Sequence, residues 1–285
     1  MKKIVMLTLT VCLALGAGSV FASPKDDIKA FQNYFKKRFP KIKFDNFADG
    51  SFALDKGLAV DMESQRDFPP WLDFLEDGEK IWKTKFPNGK SFASCFGKKV
   101  SKIRVKYPFW DSKKNTVRTL EGDIIACQKK NGVEPFKVGK GKIAHLSAYI
   151  VSKSHGDRIH VVVPNTKAAL AAYNRGKHHF YAKRGQLDFS CADCHMYNSG
   201  QWIRGNMLSP ALGHTTHFPV WRGSSSRKDL KHGDGFLTLE GRYVGCNKQV
   251  RAKPYKPQSE EYRDLEFFHA AMSNGLPIMG PDYRE

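Results

Sequence analysis

Apolar positions near both ends of the chain recur at helical spacing. Between residues 26 and 39 they share one helical face, and a proline follows the run: Ile28, Phe31, Phe35 and Phe39. A second run follows Ser259, a residue type that caps helix N-termini, and places Leu265, Phe268 and Met272 on one face. We expect this last helix to stop at Gly275, because glycine readily adopts the left-handed conformation that often ends a helix.

Two further segments predict helices in the middle of the chain. Residues 71–86 form one, with a break expected at Gly78, and the alanine-rich residues 166–184 form the other. The clearest strand-like run is short and covers residues 159–163. The pattern therefore predicts a mainly α-helical protein. Its long Gly-, Pro- and Ser-rich connections, such as residues 205–235, are expected to pack around a bound group.

The first 22 residues have the pattern of a cleaved secretory signal peptide. Lys2 and Lys3 precede an apolar run, and Val20 and Ala22 occupy the −3 and −1 positions before Ser23. We therefore expect residues 1–22 to be removed and the mature protein to lie in the periplasm. No other apolar run approaches the roughly 20 residues of a membrane span, so none is expected in the mature chain.

The charge of the chain bears on its partners. The 285 residues carry a formal net charge of +19, from 47 basic and 28 acidic side chains. In a cytosolic protein this excess would suggest nucleic acid. In an exported protein it favours acidic protein partners or small anionic substrates, and we expect no nucleic-acid partner.

The sequence contains an internal repeat at an offset of 119 residues. The string Thr-Leu-Glu-Gly at residues 119–122 recurs at residues 238–241, and the register holds without a gap to Gly156 and Gly275. Eleven of the 38 aligned positions are identical, including Cys127 with Cys246. We interpret the repeat as two homologous domains, at residues 23–160 and 161–285.

Cys191-Ala-Asp-Cys194-His195 is a C-x-x-C-H motif, the signature of covalent haem attachment. Two thiols add to the vinyl groups of one haem, and the adjacent imidazole becomes the proximal iron ligand. A thioredoxin-like redox pair would need a βαβ pattern, a zinc site would need a second ligand pair, and a plain disulfide would not need the histidine. The motif therefore predicts one covalently attached c-type haem, with His195 on the iron.

The first half cannot repeat this site. Aligned on Cys194, it has Cys95 flanked by Phe92 and Phe96, whose rings would fill the space of a macrocycle. By analogy with the second half, one of Cys95 and Cys127 lies at the haem edge and the other at the ligand side of the same cavity, so they can pair when no haem separates them. We predict a disulfide between them, worth about 2–4 kcal/mol. The expected fold is two tandem c-type cytochrome domains, of which only the second binds haem.

Cys246 remains once the other cysteines are assigned. Nearby cations favour its thiolate, which on iron would stabilise Fe(III) and lower the reduction potential. The alternative is an inert buried thiol. Met196 directly follows the proximal histidine and cannot reach across the ring. The residues alone leave the distal ligand open between Cys246 and several others: Met207, Met272, Met279, His214, His217, His232 and His269.

Taken together, these features resemble one family. The repeat with a degenerate first site, the C-x-x-C-H motif and the run Gly-Arg-Tyr-Val-Gly-Cys-Asn-Lys-Gln-Val-Arg at residues 241–251 are similar to the A subunit of the SoxAX cytochromes of bacterial thiosulfate oxidation, in its single-haem form. The resemblance covers the mature chain. It implies that Cys246 is the distal haem ligand and carries an extra sulfur as a persulfide, and that Arg242 lies in the active site. Lys248 and Arg251 would add donors for dianionic thiosulfate, the alternative being a solvated basic surface.

The resemblance also implies a reaction and its partners. Thiosulfate would be joined oxidatively to a cysteine of the SoxYZ carrier protein, giving a cysteine S-thiosulfonate, as in an L-cysteine S-thiosulfotransferase. Two electrons would leave through haem to a SoxX-like monohaem cytochrome c, the heterodimer partner, and then to a cytochrome acceptor. Phe92 and Phe96 depart from the two-haem members, so no relay between two haems is expected within this chain.

Two other functions fit the residues. A plain electron-transfer cytochrome would have a Met or His sixth ligand and a spectrum independent of Cys246. A haem-based sensor would need an open or displaceable sixth site. The basic, polar run around Cys246 favours the sulfur-transferring oxidoreductase.

Overall fold

The computed structural model describes residues 23–222 and 235–284. The expected signal peptide and the candidate ligand His232 lie outside the described residues. In the described part of the chain, no helix combines the length and the apolar character needed to cross a membrane.

Helices account for most of the regular structure. In chain order they are α1 (Pro24–Arg38), α2 (Lys56–Asp67), α3 (Leu72–Lys83), α4 (Ala93–Phe96), α5 (Leu120–Lys130), α6 (Lys142–Ser152), α7 (Lys167–Tyr181), α8 (Leu239–Gln249) and α9 (Glu260–Met272). Three 3-10 segments and one π-helical turn connect them: Phe44–Ala53, Arg104–Lys106, His214–Thr216 and, in the π form, Asp193–Tyr197. The expectation of a mainly α-helical protein is confirmed.

The strands are short and form three small sheets. They are β1 (Phe109–Asp111), β2 (Thr116–Arg118), β3 (Trp202–Ile203), β4 (Asn206–Met207), β5 (Val220–Trp221), β6 (Phe236–Leu237) and β7 (Asp282–Tyr283). β1 pairs with β2 and β3 with β4, both antiparallel. β5 lies between β6, to which it is antiparallel, and β7, to which it is parallel, so that Val220 faces Leu237 and Asp282.

The helix ends follow local capping signals. The hydroxyl of Ser23 accepts from the N–H of Asp26 at the start of α1, and that of Thr166 accepts from Ala169 at the start of α7. Both helices agree closely with the sequence expectation. α9 begins after Ser259 as expected but ends three residues before Gly275, whose N–H donates to the carbonyl of Ile159 instead.

The expected strand at residues 159–163 is not formed. Ile159 donates to the carbonyl of Leu276, and Val161 exchanges two hydrogen bonds with the side chain of Asn274, at 2.7 and 2.9 Å. The segment is extended, but its partner is the loop after α9 rather than a second strand. A side-chain amide therefore satisfies the backbone groups that a sheet would otherwise pair.

Gly78 does not break α3, contrary to the expectation. A Cβ at Gly78 would overlap the carbonyl of His145 on α6, so the missing side chain lets α3 and α6 pack closely. Gly176 of α7 does the same against the carbonyl of Asp264 on α9. Glycine is therefore needed at both helix crossings, where the close approach outweighs its low helix propensity.

α1 packs against elements that lie far along the chain. Phe31 contacts Phe180 of α7 with ring centres 5.9 Å apart. Asp27 accepts from the hydroxyl of Tyr173 and pairs with Lys177 at 2.7 Å. One hydrophobic core runs through both halves of the chain and contains buried side chains from α1, α5, α6, α7 and α9.

The two copies of the Thr-Leu-Glu-Gly string meet in space. Thr119 caps α5 through the N–H of Gly122, and Thr238 caps α8 in the same way. Gln258 joins them, because its side-chain oxygen accepts from the Thr119 hydroxyl while its backbone and side-chain nitrogens donate to the carboxylate of Glu240. The repeat thus forms part of the contact between the two halves.

A small cavity with room for a water molecule lies beside this contact, lined in part by Arg104, Glu121 and Glu266. The Arg104 guanidinium donates to the carbonyl of Thr215 at 2.9 Å. Burial raises the pKa of Glu121 and raises that of Glu266 well above its usual range, and the nearby carboxylates of Glu121 and Glu240 add to the effect on Glu266. Arg104 therefore lies near two of these carboxyl groups, those of Glu121 and Glu266.

The Gly176→Ala substitution is expected to destabilise the protein by about 1–3 kcal/mol or more, because the new methyl group forces α7 away from α9. Asn174→Ala, at an exposed position of the same helix, is the control and should have little effect. Guanidinium unfolding of the holoprotein measures both. Equal unfolding midpoints for the two variants would contradict the close helix crossing.

The buried carboxyl groups predict a pH dependence of stability. Because the folded-state pKa of Glu266 lies above its unfolded value, the folded chain keeps a proton that the unfolded chain loses, and stability falls as pH rises above about 4.5. Glu266→Gln should reduce this fall between pH 5 and 8 by about 1.4 kcal/mol for each unit of raised pKa. Glu260→Gln, at an exposed position of α9, is the control. Identical pH slopes in wild type and Glu266→Gln would refute the interpretation.

Candidate functional site

The C-x-x-C-H motif lies on a helical turn that starts at Ser190. The carboxylate of Asp193 accepts from the backbone N–H and the hydroxyl of Ser190, both at 2.8 Å, and the Ser190 hydroxyl accepts from the N–H of Asp193. This reciprocal pair is a capping box, which here uses aspartate as the acidic residue. The turn is therefore fixed by residues inside the motif and directly before it.

His195 has one ring nitrogen engaged and one left for a metal. Its Nδ1 lies 3.0 Å from the carbonyl of Ser209, so Nδ1 carries the proton that it donates. Burial lowers the pKa of His195 to about 4, so the imidazole is neutral at pH 7. A neutral imidazole whose Nδ1 is held by a carbonyl presents Nε2 as a ligand, the arrangement typical of metal-binding histidines.

Three half-buried free thiols share this region: Cys191, Cys194 and Cys246. Burial raises the pKa of the Cys191 thiol to about 12, and the thiols of Cys246 and Cys194 add to the rise, whereas the Arg184 guanidinium opposes it. Burial also raises the pKa of Cys194, again with a contribution from Cys246. Cys246 of α8 therefore lies near both cysteines of the motif, although more than 50 residues separate it from them in the sequence.

The basic residues around Cys246 are not equivalent. Arg242 precedes Cys246 by one helical turn on α8, so both lie on one face of the helix, and its charge contributes to the low pKa of His195. Lys248 follows Cys246 by two residues, which places it on another face, and its side chain is exposed. Arg251 lies beyond the end of α8 and is exposed, with φ at +57°. Of the three, Arg242 is the one that the structure brings to the motif.

His214 does not suit the distal position. Its ring centre is 4.4 Å from that of His195, and its Nε2 lies 2.6 Å from the hydroxyl of Ser209. Two imidazoles on opposite sides of one metal, each bound at about 2 Å, have ring centres roughly 6 Å apart. His214 therefore packs against the ring of His195, too close to it for the two to bind opposite sides of one metal.

The other candidate ligands in the described residues have protein contacts of their own. Met207 packs against the cluster of Phe52, Leu58 and Met62, Met272 is buried in the main core, and Met279 is half-buried beside Thr216. The His269 ring nitrogen Nδ1 is 3.0 Å from the Tyr243 hydroxyl, and the buried His217 ring stacks on Phe218. The sulfur of Met196 accepts from the Tyr181 hydroxyl at 3.6 Å.

The corresponding region of the first half contains a disulfide. Cys95 and Cys127 are bonded, with Cα atoms 6.0 Å apart. Phe92 is buried, with its ring centre 5.0 Å from that of Phe86 and 6.5 Å from that of Trp82. Aromatic side chains and a disulfide thus occupy this region, whereas the second half has free thiols at the aligned positions.

The second-half residues fit a c-type haem. Two free thiols at C-x-x-C spacing, a neutral histidine with a free Nε2 and a third thiol on a separate helix supply both attachment points and ligands for both faces. A Cβ at Gly245, next to Cys246, would meet nothing within 4 Å, so the protein leaves open space beside this helix. Cys191 and Cys194 would hold the macrocycle, with His195 and Cys246 on the iron.

Sequence reasoning missed Asn247, which directly follows Cys246, and its partner Arg184. Arg184 donates to the side-chain oxygen of Asn247, and Asn247 donates in turn to the carbonyl of Tyr243 and the hydroxyl of Tyr262. Arg184 and Asn247 are 63 positions apart, and no local pattern connects them. The one sequence feature that could have pointed to this contact is the position of Asn247 directly after Cys246.

The helical scaffold and this donor set define a c-type cytochrome. Comparison with known families agrees, since residues 77–159 match the model of the SoxA/TsdA cytochrome c domain. The match covers the half that contains the disulfide, so the first half has a recognisable cytochrome c sequence although it lacks the C-x-x-C-H motif.

Full-length relatives identify the family. The chain is 47% identical over 259 residues to the L-cysteine S-thiosulfotransferase subunit SoxA of Chlorobaculum tepidum, covering 91% of this chain and 87% of that protein. The SoxA subunit of Allochromatium vinosum is 43% identical over 265 residues, covering 93% and 91%. The crystal structure of SoxXA from P. pantotrophus superposes with a TM-score of 0.68 at 29% identity, covering 78% of this chain and 84% of that chain. The chain belongs to the SoxA family, and the predicted resemblance is confirmed.

The cysteine assignments predict a simple labelling result. In denatured holoprotein, an alkylating reagent should label Cys246 before reduction, and Cys95 and Cys127 only afterwards. Cys191 and Cys194 should stay unlabelled throughout because thioethers resist reductant. Peptide mass spectrometry measures each site, and labelling of Cys95 or Cys127 without reductant, or of Cys191 at any stage, would contradict the assignment.

Proposed function

We propose that this chain is the subunit of a SoxAX-type enzyme that joins thiosulfate to a cysteine of a SoxYZ carrier protein. The observation that carries the proposal is the free thiol of Cys246, close to Cys191 and Cys194 and one helical turn after Arg242. The relatives at 43–48% identity, named L-cysteine S-thiosulfotransferase subunit SoxA, support it.

The reaction is an oxidation that forms one S–S bond. The carrier thiol and the outer sulfur of thiosulfate combine to a cysteine S-thiosulfonate, and one proton and two electrons are released. One c-type haem, attached at Cys191 and Cys194, supplies the electron-accepting chemistry. The electrons pass to a SoxX-like monohaem cytochrome c and then to a further cytochrome acceptor.

Cys246 divides this reaction into two steps. Carrying an extra sulfur as a persulfide, it bonds to the outer sulfur of thiosulfate with loss of two electrons. The carrier thiolate then displaces the Cys246 persulfide by attack on that same sulfur. Covalent capture thereby separates the oxidation from the transfer.

The basic residues bind and attract the anionic substrate. Arg242, on the same helical face as Cys246, offers the planar donors that suit an oxyanion. Lys248 and Arg251 are exposed near the end of α8, where their charges draw anions towards the site. We assign Arg242 to direct binding and the other two to this longer-range attraction.

The domain organisation proposed here is a tandem pair, residues 23–160 and 161–285, of which only the second binds haem. Three observations support a duplication. The helix crossings at Gly78 and Gly176 contact α6 and α9 at residues related by the repeat offset, and Thr119 and Thr238 cap their helices alike. The family-model match also falls within the first half.

The location and partners are part of the same proposal. Residues 1–22 serve as a signal peptide, and the mature chain works in the periplasm, where c-type haem is attached. The solved SoxXA structure supports a SoxX-like heterodimer partner. The excess of basic over acidic side chains favours an acidic carrier and the dianion thiosulfate.

The first test is the mass of the Cys246 peptide from mature protein digested without reductant. We expect the mass of one extra sulfur atom, lost after treatment with reductant. A bare thiol in a protein that conjugates thiosulfate would remove the persulfide from the mechanism. A bare thiol without any thiosulfate response would favour a plain electron carrier.

Cys246→Ala is expected to lower thiosulfate conjugation by at least about a thousandfold, because the variant lacks the reacting sulfur. Its haem should remain attached, since Cys191 and Cys194 are intact. Gln249→Ala, at an exposed position of the same helix, is the matched control and should keep full activity. Assay of carrier-bound thiosulfonate by mass spectrometry, with haem staining, measures both properties. Normal turnover in Cys246→Ala would rule out its catalytic role.

A further inference from the structure

Arg184 contacts protein groups other than carboxylates, unlike the arginines of the structure that form ion pairs. Arg66 and Arg158, for example, pair with aspartates. In the described part of the chain, Arg184 forms no ion pair with a carboxylate. Its guanidinium donates instead to the side-chain oxygen of Asn247 and, at 3.1 Å, to the carbonyl of Lys253.

Apart from Nε2 of His179, which is 3.4 Å from Nη1, the partners of the Arg184 guanidinium lie in the nine residues after Cys246. Asn247 is the next residue, Lys253 is seven positions further on than Cys246, and the ring of Tyr255 has its centre 4.2 Å from the guanidinium carbon. A planar guanidinium can stack on a ring while it donates at its edge, which an ammonium group cannot do. Arg184 therefore holds the segment by which the chain leaves the Cys246 helix.

Asn247 connects Arg184 to α8, the helix that carries Cys246. The residue is buried, and all of its polar atoms are engaged: the oxygen accepts from Arg184, and the nitrogen donates to the carbonyl of Tyr243 at 2.8 Å and to the hydroxyl of Tyr262 at 3.2 Å. Rotation of α8 about its axis would break the bonds to Arg184 and Tyr262, which join the helix to other elements, whereas the bond to Tyr243 lies within α8. Because Cys246 is adjacent to Asn247, the network fixes the direction of the Cys246 side chain.

The backbone around Arg184 adds a second attachment. Arg184 and Phe189 exchange two backbone hydrogen bonds, which close a tight hairpin leading directly into the haem-attachment turn. Gly185 has φ at +72°, and a Cβ there would overlap the carbonyl of Val250. Leu187 donates to the same carbonyl at 3.3 Å. The hairpin before Cys191 is thus fastened to the end of the Cys246 helix.

We propose that Arg184 is a positioning residue for the sulfur site, which holds the Cys246 helix at a fixed orientation to the segment carrying Cys191, Cys194 and His195. The inference deepens the proposed function, on which it rests for the role of Cys246 as the distal, sulfur-bearing residue. Arg184 acts through Asn247 and does not itself contact thiosulfate. Its loss should therefore disturb the state of Cys246 before it affects substrate binding.

Arg184→Met in the complete holoprotein tests this role. We expect Cys246 in the ferric protein to be alkylated about tenfold faster or more, and the low-spin ferric electron paramagnetic resonance signal to change from one species to several, because a charge-assisted bond is lost. The kcat for thiosulfate conjugation should fall about tenfold, with KM nearly unchanged. Arg184→Lys should give an intermediate result, since it keeps the charge without the planar fork.

Two further variants sharpen the test. Lys183→Met removes a neighbouring exposed charge, which lies 3.7 Å from Asp188, and should behave as wild type. Asn247→Leu removes the acceptor and should reproduce the Arg184→Met result, with little further change in the double variant. If Arg184→Met does not fold with haem, Arg184→Lys and Asn247→Leu provide the same comparison.

The results that would overturn the inference are distinct from failure of the proposed function. Alkylation rates and resonance signals equal to those of Lys183→Met would remove the positioning role. A raised KM with unchanged Cys246 accessibility would assign Arg184 to substrate binding instead. If the wild type itself did not conjugate thiosulfate, the proposed function would fail, whereas the accessibility and resonance measurements would still decide whether Arg184 orients Cys246.

Discussion

The crossing of α7 and α9 at Gly176 is the contact on which the rest of the site depends. Because Gly176 lacks a side chain, the backbone of α7 lies against the carbonyl of Asp264 in α9. α7 continues into the hairpin and the C-x-x-C-H turn, whereas α9 follows the segment that leaves the Cys246 helix. One close approach therefore relates the turn that carries His195 to the helix that carries the third thiol. The hydrogen bond from His195 to Ser209 then sets the ring within that frame.

The sequence was sufficient for helices whose signals are local. α1 and α7 each have a continuous apolar face and a capping hydroxyl, so their positions could be predicted closely. The break expected at Gly78 was wrong. A glycine within a helix usually indicates a break, and only the packing of α6 against it shows why glycine is needed there. The run at residues 159–163 misled for a similar reason, since Asn274, 113 positions away, takes the place of a partner strand. In both cases a tertiary contact outweighed local propensity.

The candidate site also has a part that the sequence predicts and a part that it does not. Its proximal side is a motif of adjacent residues, and chemistry alone names each donor. Cys246 could be singled out because the other cysteines were assigned elsewhere and because a basic, polar run surrounds it. Arg184 had no signal, because its contact with Asn247 joins distant positions and both residue types are common on surfaces. Lys248 is the opposite case, because it is close to Cys246 in the sequence but does not lie on the helix face that Cys246 shares with Arg242.

The position of α1 makes the packing of the N-terminal part of the chain depend on the C-terminal part. Asp27 binds Tyr173, and Gln32 donates to the carbonyl of Asn274, 242 positions further along. Since synthesis starts at the N-terminus, α1 is made well before the surface that it covers, and these contacts close loops of more than 140 residues. Helix α1 therefore depends for its packing on residues that come much later in the sequence. A cut near residue 160 would separate the C-x-x-C-H half from the helix whose Tyr34 hydroxyl binds the carbonyl of Met196.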